Sequence, residues 1–133
     1  MARITDEMKA FIEGQKVSYV ATSSKKGKPN VSPKGTVRVV DDKTLAFCDL
    51  FSRKTHRNLQ ENPWVAVSVV DEDELKGYQF VGPSEEIEEG PLFEWMEKEI
   101  AVPGKWKPTI KRVIKINVKE IHDLAPPGEY YLE

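Results

Sequence analysis

Apolar residues change their period several times along the chain, and each change marks an element. Met8, Phe11 and Ile12 recur at helical spacing behind Thr5, a good N-cap, and Gly14 suits the end of a first helix. Val17-Ser18-Tyr19-Val20-Ala21-Thr22 is rich in β-formers and predicts a strand, followed by the polar turn Lys25-Lys26-Gly27-Lys28-Pro29. Residues 30–40 are extended but interrupted by Pro33 and Gly35, the mark of an edge, a bulge or a close backbone approach. Asp41-Asp42-Lys43 turns the chain into Thr44-Leu45-Ala46-Phe47-Cys48, which predicts a hairpin.

Ser52 opens a short helix that must stop before Asn62-Pro63. Residues 64–70 are too apolar to present a wet face, so this strand is expected at the centre of the sheet. Asp71-Glu72-Asp73-Glu74 is a solvated turn leading to a strand near Tyr78-Gln79-Phe80-Val81. Pro91 suits the start of a helix carrying Leu92, Phe93, Met96 and Ile100 on one face, with Pro103-Gly104 beyond its end. Residues 110–118 alternate as a half-buried strand, and the tail from Pro126 is expected to leave the body. Strands follow one another without regular helical crossovers. The pattern predicts a mainly β fold, an antiparallel sheet closed into a small barrel with peripheral helices.

Composition narrows the class. At 133 residues, with 39% hydrophobic and 32% charged, the chain suits one globular domain spanning residues 1–133. No apolar run approaches a membrane span, and the first residues carry no apolar signal region. One cysteine, Cys48, excludes an internal disulfide and a cysteine-based metal site, so a reducing, cytoplasmic location is expected. His56 and His122 are far apart without a ligand cluster, which argues against a metal. Neither a nucleotide-hydrolase phosphate loop nor a dinucleotide glycine fingerprint is present.

The net charge of −2 is unevenly spread. Through Asn62 there are 12 basic against 7 acidic residues, and from Pro63 onward 8 against 15. This balance argues against a nucleic-acid coat but leaves room for a local anion site. The eleven acids between Asp71 and Glu99 are most simply solvated turns and a helix face.

The helix opened by Ser52 is charged the wrong way round. Arg53, Lys54 and Arg57 crowd its first turns and its only acid, Glu61, lies at its end, whereas a helix dipole favours acids first. A bound phosphate would reverse the penalty by collecting backbone N–H groups, the Ser52 and Thr55 hydroxyls and the cations. A solvated basic face with Ser52 as a plain cap explains the same residues. In the second segment of interest, Asn30-Val31-Ser32-Pro33-Lys34-Gly35-Thr36, Pro and Gly would expose backbone polar groups to a planar ligand, and Lys34 could set a cation beside a developing anion. On that segment alone an edge strand with a bulge is the simpler explanation. The third feature is Trp106, between lysines in a loop bounded by Pro103 and Pro108, a candidate to cover a ring or enter a subunit interface. Trp64 and Trp95 are expected to pack normally.

Taken in order, four segments resemble the flavin-binding split-barrel family related to pyridoxamine 5′-phosphate oxidase. They are residues 17–22, then Gly27-Lys28-Pro29 leading to Val31-Ser32-Pro33-Lys34-Gly35, then Ser52-Arg53-Lys54-Thr55-His56-Arg57-Asn58-Leu59, then Asn62-Pro63 before an apolar strand. The resemblance runs from about Met8 to Val81 and, more weakly, from Ile110 to Pro126. It implies a six-stranded antiparallel split β-barrel, a homodimer and one flavin mononucleotide (FMN) in each interface cleft. It also implies that Ser52, Arg53, Lys54 and Thr55 hold the flavin phosphate, and that Ser32, Pro33, Lys34 and Gly35 line the ring edge. Trp106 falls where some small members place an aromatic from the partner subunit. The tail, Ile121-His122-Asp123-Leu124-Ala125-Pro126-Pro127, lacks the arginine-rich motif of the vitamin oxidase itself, so that activity is not expected. Relatives of this short form bind flavin, deazaflavin or haem. The expected function is an FMN-binding oxidoreductase or electron carrier, with a deazaflavin reductase or a flavin store as alternatives. No residue stands out as a general acid or base.

Overall fold

A computed structural model describes residues 2–125, so the expected departure of the tail from Pro126 lies outside the described residues. The element order is α1 (Asp6–Glu13), β1 (Ser18–Ser23), β2 (Pro29–Lys34), β3 (Arg38–Asp41), β4 (Thr44–Asp49), α2 (Arg53–Glu61), β5 (Trp64–Asp71), β6 (Lys76–Ile87), α3 (Pro91–Ile100), β7 (Arg112–Asn117) and β8 (Glu120–Asp123). Every strand pairing is antiparallel, in the order β2-β1-β5-β6-β7-β4-β3, with β8 joining β6. The fold is therefore mainly β, a split barrel with three peripheral helices.

Eight strands replace the six expected. The 30–40 stretch is two strands, because the chain leaves β2 at Lys34 and re-enters the sheet at Arg38 across Gly35-Thr36-Val37. The short β8, with Ile121 its one apolar residue, has no alternating pattern to betray it and is held by pairing with residues 78–81.

β6 closes the barrel. Its first part pairs with β5 and its last four residues, Ser84 to Ile87, pair with β7. Gly82 sits just before that change of partner. A Cβ there would lie 1.9 Å from the Asn117 carbonyl oxygen, so only glycine admits the close approach.

The main core fills the barrel with Val20, Leu45, Phe47, Val65, Val67, Val69, Phe80, Ile114 and Ile116, closed by Ile12 of α1 and Leu59 of α2. A second cluster lies between the outer face of β4 and β7 and the apolar side of α3, joining Ala46, Cys48 and Val113 to Met96 and Ile100. The two clusters account for the unbroken burial of β4, whose alternate residues serve one core each. Cys48 is a small core residue, and its burial pushes the thiol up to about 12.

Thr5 caps α1 as expected, its hydroxyl accepting from Met8 N at 3.1 Å. β5 is central, between β1 and β6, but its outer face is not fully covered. Trp64 is exposed, as are Tyr19 and Val31 on the same side of the neighbouring strands. Trp95 on α3 is exposed as well. The expectation of ordinary packing for Trp64 and Trp95 is therefore corrected: each strand or helix presents its other face to the core.

Candidate functional site

β2 is an edge strand whose one partner among the described residues is β1, so the opposite row of its backbone groups is unpaired within the sheet. α2 packs against β1 and β2. The buried Asn58 fixes this contact by donating from Nδ2 to Thr22 Oγ1 of β1 at 3.0 Å. Thr55, also buried, lies against β2: its hydroxyl is 3.3 Å from Ser32 Oγ and accepts from Asn30 Nδ2 at 3.5 Å. The helix thus meets β2 through hydroxyls and amides, which hold it in register where apolar contacts would let it slide.

Two clefts result, one towards each end of β2. The first, about 300 Å³, is lined by Ser32, Pro33, Lys34, Gly35, Thr36, Cys48, Leu50, Phe51 and Ser52. Lys34 Nζ donates to Ser52 Oγ and stands 5.9 Å above the ring of buried Phe47. Partial burial lowers the Lys34 pKa below its usual value, while the charge of Asp49 pulls the other way. Phe51 is 88% exposed at the rim, a large aromatic with no packing partner to explain it.

Asp49 is the support of this cleft. It is 3% exposed, accepts the Ser52 N–H at 3.1 Å and pairs with Arg112 Nη1 at 2.6 Å. Ser52 occupies the N-cap position, but its hydroxyl makes no capping bond. The plain-cap reading is thereby corrected: Asp49 fixes the Ser52 backbone, and the Ser52 hydroxyl faces Lys34. Asp49 and Arg112 were not singled out from the sequence. The available signal was an acid ending a largely apolar strand three residues before the helix N-cap, Ser52.

The second cleft, about 400 Å³, lies between the β1–β2 turn and α2 and includes Lys25, Lys26, Lys28, Lys54 and Arg57. The structure therefore gathers Ser32, Pro33, Lys34, Gly35 and Ser52 in one cleft, turns Lys54 into the other, and buries Thr55 between them. Arg53 is exposed and lines neither cleft. Trp106, 45% exposed, lies in a loop pinned by a bridge to Val102 and is not brought to either cleft. His56, beside these residues in sequence, turns away and sets Nδ1 2.9 Å from Glu86 Oε1 on β6, without the alignment of a hydrogen bond. Among the described residues no group of acids, histidines and cysteine could hold a metal, and no helix is long and apolar enough to cross a membrane.

The family model for pyridoxamine 5′-phosphate oxidase matches residues 4–125. The chain belongs to the pyridoxamine 5′-phosphate oxidase family. An uncharacterized protein of Methanocaldococcus jannaschii is 31% identical over 127 residues, covering 93% of this chain and 83% of that protein. A crystal structure of HupZ from Group A Streptococcus is 36% identical with a TM-score of 0.80, covering 92% of this chain and 94% of HupZ. An FMN-binding protein from Syntrophomonas wolfei shares the fold, with a TM-score of 0.81 at 16% identity over 93% of this chain and 88% of that one. An F420 reductase also shares it, with a TM-score of 0.69 at 21% identity over 90% of this chain and 98% of its own. Membership of the pyridoxamine 5′-phosphate oxidase family covers nearly the whole described chain and fits its antiparallel barrel.

Proposed function

We propose that the protein is an FMN-binding oxidoreductase or electron carrier that works as a homodimer. The observation that carries the reading is the Lys34 ammonium, partly desolvated, held by Ser52 at a cleft walled by the unpaired edge of β2. These residues fit a flavin. Backbone groups of Ser32, Pro33 and Gly35 would accept or donate along a planar heterocycle edge, and Lys34 would stabilise negative charge on it. The first turn of α2, with no side-chain cap and no acid, would take the phosphate through its N–H groups, Ser52 and Arg53, with Lys54 reaching it from the neighbouring cleft. Thr55, buried against Ser32, would orient that turn rather than meet solvent. FMN would supply the hydride or electron chemistry; the chain holds the ring, anchors the phosphate and fixes a cation nearby.

The homodimer is supported by the outer sheet face, where Tyr19, Val31 and Trp64 are 40%, 64% and 47% exposed in one chain. Trp106, remote from both clefts of its own chain, is free to serve a partner's. Sedimentation equilibrium should give twice the chain mass, and Trp64→Glu should return it to one.

The absorption spectrum of protein purified without added cofactor tests the cofactor. A flavin spectrum is expected, and Lys54→Glu should abolish FMN binding while circular dichroism is unchanged. Colourless protein that neither quenches nor shifts the fluorescence of micromolar FMN would overturn the reading. A deazaflavin is the second reading, favoured by the likeness to an F420 reductase and distinguished by its own absorption. A flavin store would bind FMN but show no turnover with nicotinamide donors and common acceptors.

A further inference from the structure

We infer that Phe51 is a positioning residue that closes over the flat face of the ring held beside Lys34, giving that ring its apolar cover from within the same chain. The inference rests on the flavin reading and adds to it the one large apolar side chain that the cleft presents to solvent.

The place of Phe51 follows from the period of the strand before it. Along β4, Phe47 faces the barrel core and Cys48 the second cluster. Asp49 is buried against Arg112, and Leu50 packs on the second cluster again. Phe51 comes next, but β4 has ended at Asp49 and no sheet remains to receive it. The chain on either side is fixed. Asp49 Oδ1 accepts the Ser52 N–H at 3.1 Å, and the Phe51 carbonyl accepts the Arg53 N–H at 3.1 Å. A turn tied at both ends holds the phenyl ring out, and Phe51 is the most exposed large apolar side chain among the described residues.

Its neighbours say what it meets. Tyr19, Val31 and Trp64 share the outer sheet face, and none of them lines this cleft. Phe51 lines it together with Pro33, Lys34, Gly35 and Ser52. The cation, the hydroxyl and the free backbone groups suit the polar edge of a flat heterocycle. Such a ring also has an apolar face, and an aromatic side chain is its best complement because stacked π-systems gain beyond the area they bury. With its backbone already fixed, Phe51 has two side-chain torsions left to order, so closing over a ring costs little entropy. Trp106 is not brought to this cleft within its own chain, which leaves the role to Phe51 there.

The test titrates the full chain with FMN and, separately, with riboflavin, which has the ring but no phosphate. Phe51→Ala should weaken both at least about tenfold and by the same factor, with circular dichroism unchanged. Phe51→Tyr, which restores an aromatic face, should stay within about threefold of the parent for both. In protein labelled at phenylalanine, the ring signals that Phe51→Ala removes should move on adding riboflavin, through the ring current of the bound heterocycle. Parent protein that binds neither flavin would overturn the flavin reading and this inference with it. Parent protein that binds both, with Phe51→Ala undiminished or the Phe51 signals unmoved, would overturn this inference alone. Loss confined to FMN would place Phe51 at the phosphate and overturn its role at the ring. A Phe51→Ala variant that sediments at half the parent mass would show a second copy covering the side chain, which also overturns it.

Discussion

The two ends of β2 solve the problem of a positive charge in opposite ways. At the Lys34 end one ammonium is drawn out of water and held over Phe47, with Ser52, Asp49 and Arg112 in a connected row behind it. At the Pro29 end five cations stay in water around an open cleft, with hydrogen bonds fixing only the turn that carries three of them. The first arrangement is preorganised and specific to the geometry of what it meets. The second is a field, strong in number and soft in geometry, and salt will screen it.

The largest break in the comparison should come from Asp49→Ala. It strips the Ser52 N–H of its acceptor and strands the guanidinium of Arg112, whose side chain is 20% exposed, so a loss of about 3–5 kcal/mol is expected. A lysine of the other end behaves differently: Lys26→Ala should move stability by less than about 0.5 kcal/mol. Urea denaturation of the two variants measures both. Next in size, Lys34→Met should weaken FMN by about tenfold to a hundredfold in a fluorescence titration, as for loss of a charged hydrogen bond worth about 1.5–3 kcal/mol. Thr55→Val removes the hydroxyl met by both Ser32 and Asn30, and should cost about 1–2 kcal/mol of stability.

The smallest effects are in pH. Partial burial keeps the folded Lys34 below the usual 10.5, so the cost of holding it charged is present in full at lower pH and is relieved as pH rises through the folded value towards 10.5. Stability from this group should therefore rise over that window, and Lys34→Met should flatten the rise in melting temperature. Cys48 acts in the opposite sense. Its folded value is raised from 9.0 to about 12, so its contribution is complete below pH 9 and is lost between pH 9 and about 12. At pH 8 the native thiol should be inert to a disulfide reagent that labels it at once in urea, measured by absorbance of the released thiolate.

Much of the barrel was legible because its signals are local. Thr5 before a helical period, Pro91 opening α3, and the hairpin at Asp41 to Lys43 each depend on neighbours a few residues away. The candidate site was legible in part. The charge order of α2 and the Pro-Lys-Gly break after Ser32 are visible in the chain, and both lie where the clefts form. Trp64 and Trp95 misled, since an apolar residue on an apolar element can face either side. Asp49 and Arg112 gave almost no signal, because a pair 63 residues apart meets only through the register of β4 with β7.

By itself, then, the sequence determined the three helices and all the strands but β8 and the break between β2 and β3, most of the apolar set that fills the core, and the basic character of the chain around α2. Those follow from residue type and short-range period. Tertiary structure alone decided how that charge is divided. Lys54 and Arg57 project from α2 towards the turn, while Ser52, at its N-cap, meets Lys34 of β2. Residues two apart on a helix point about 200° apart, so Ser52 and Lys54 face different clefts once Asn58 and Thr55 have locked the helix against β1 and β2.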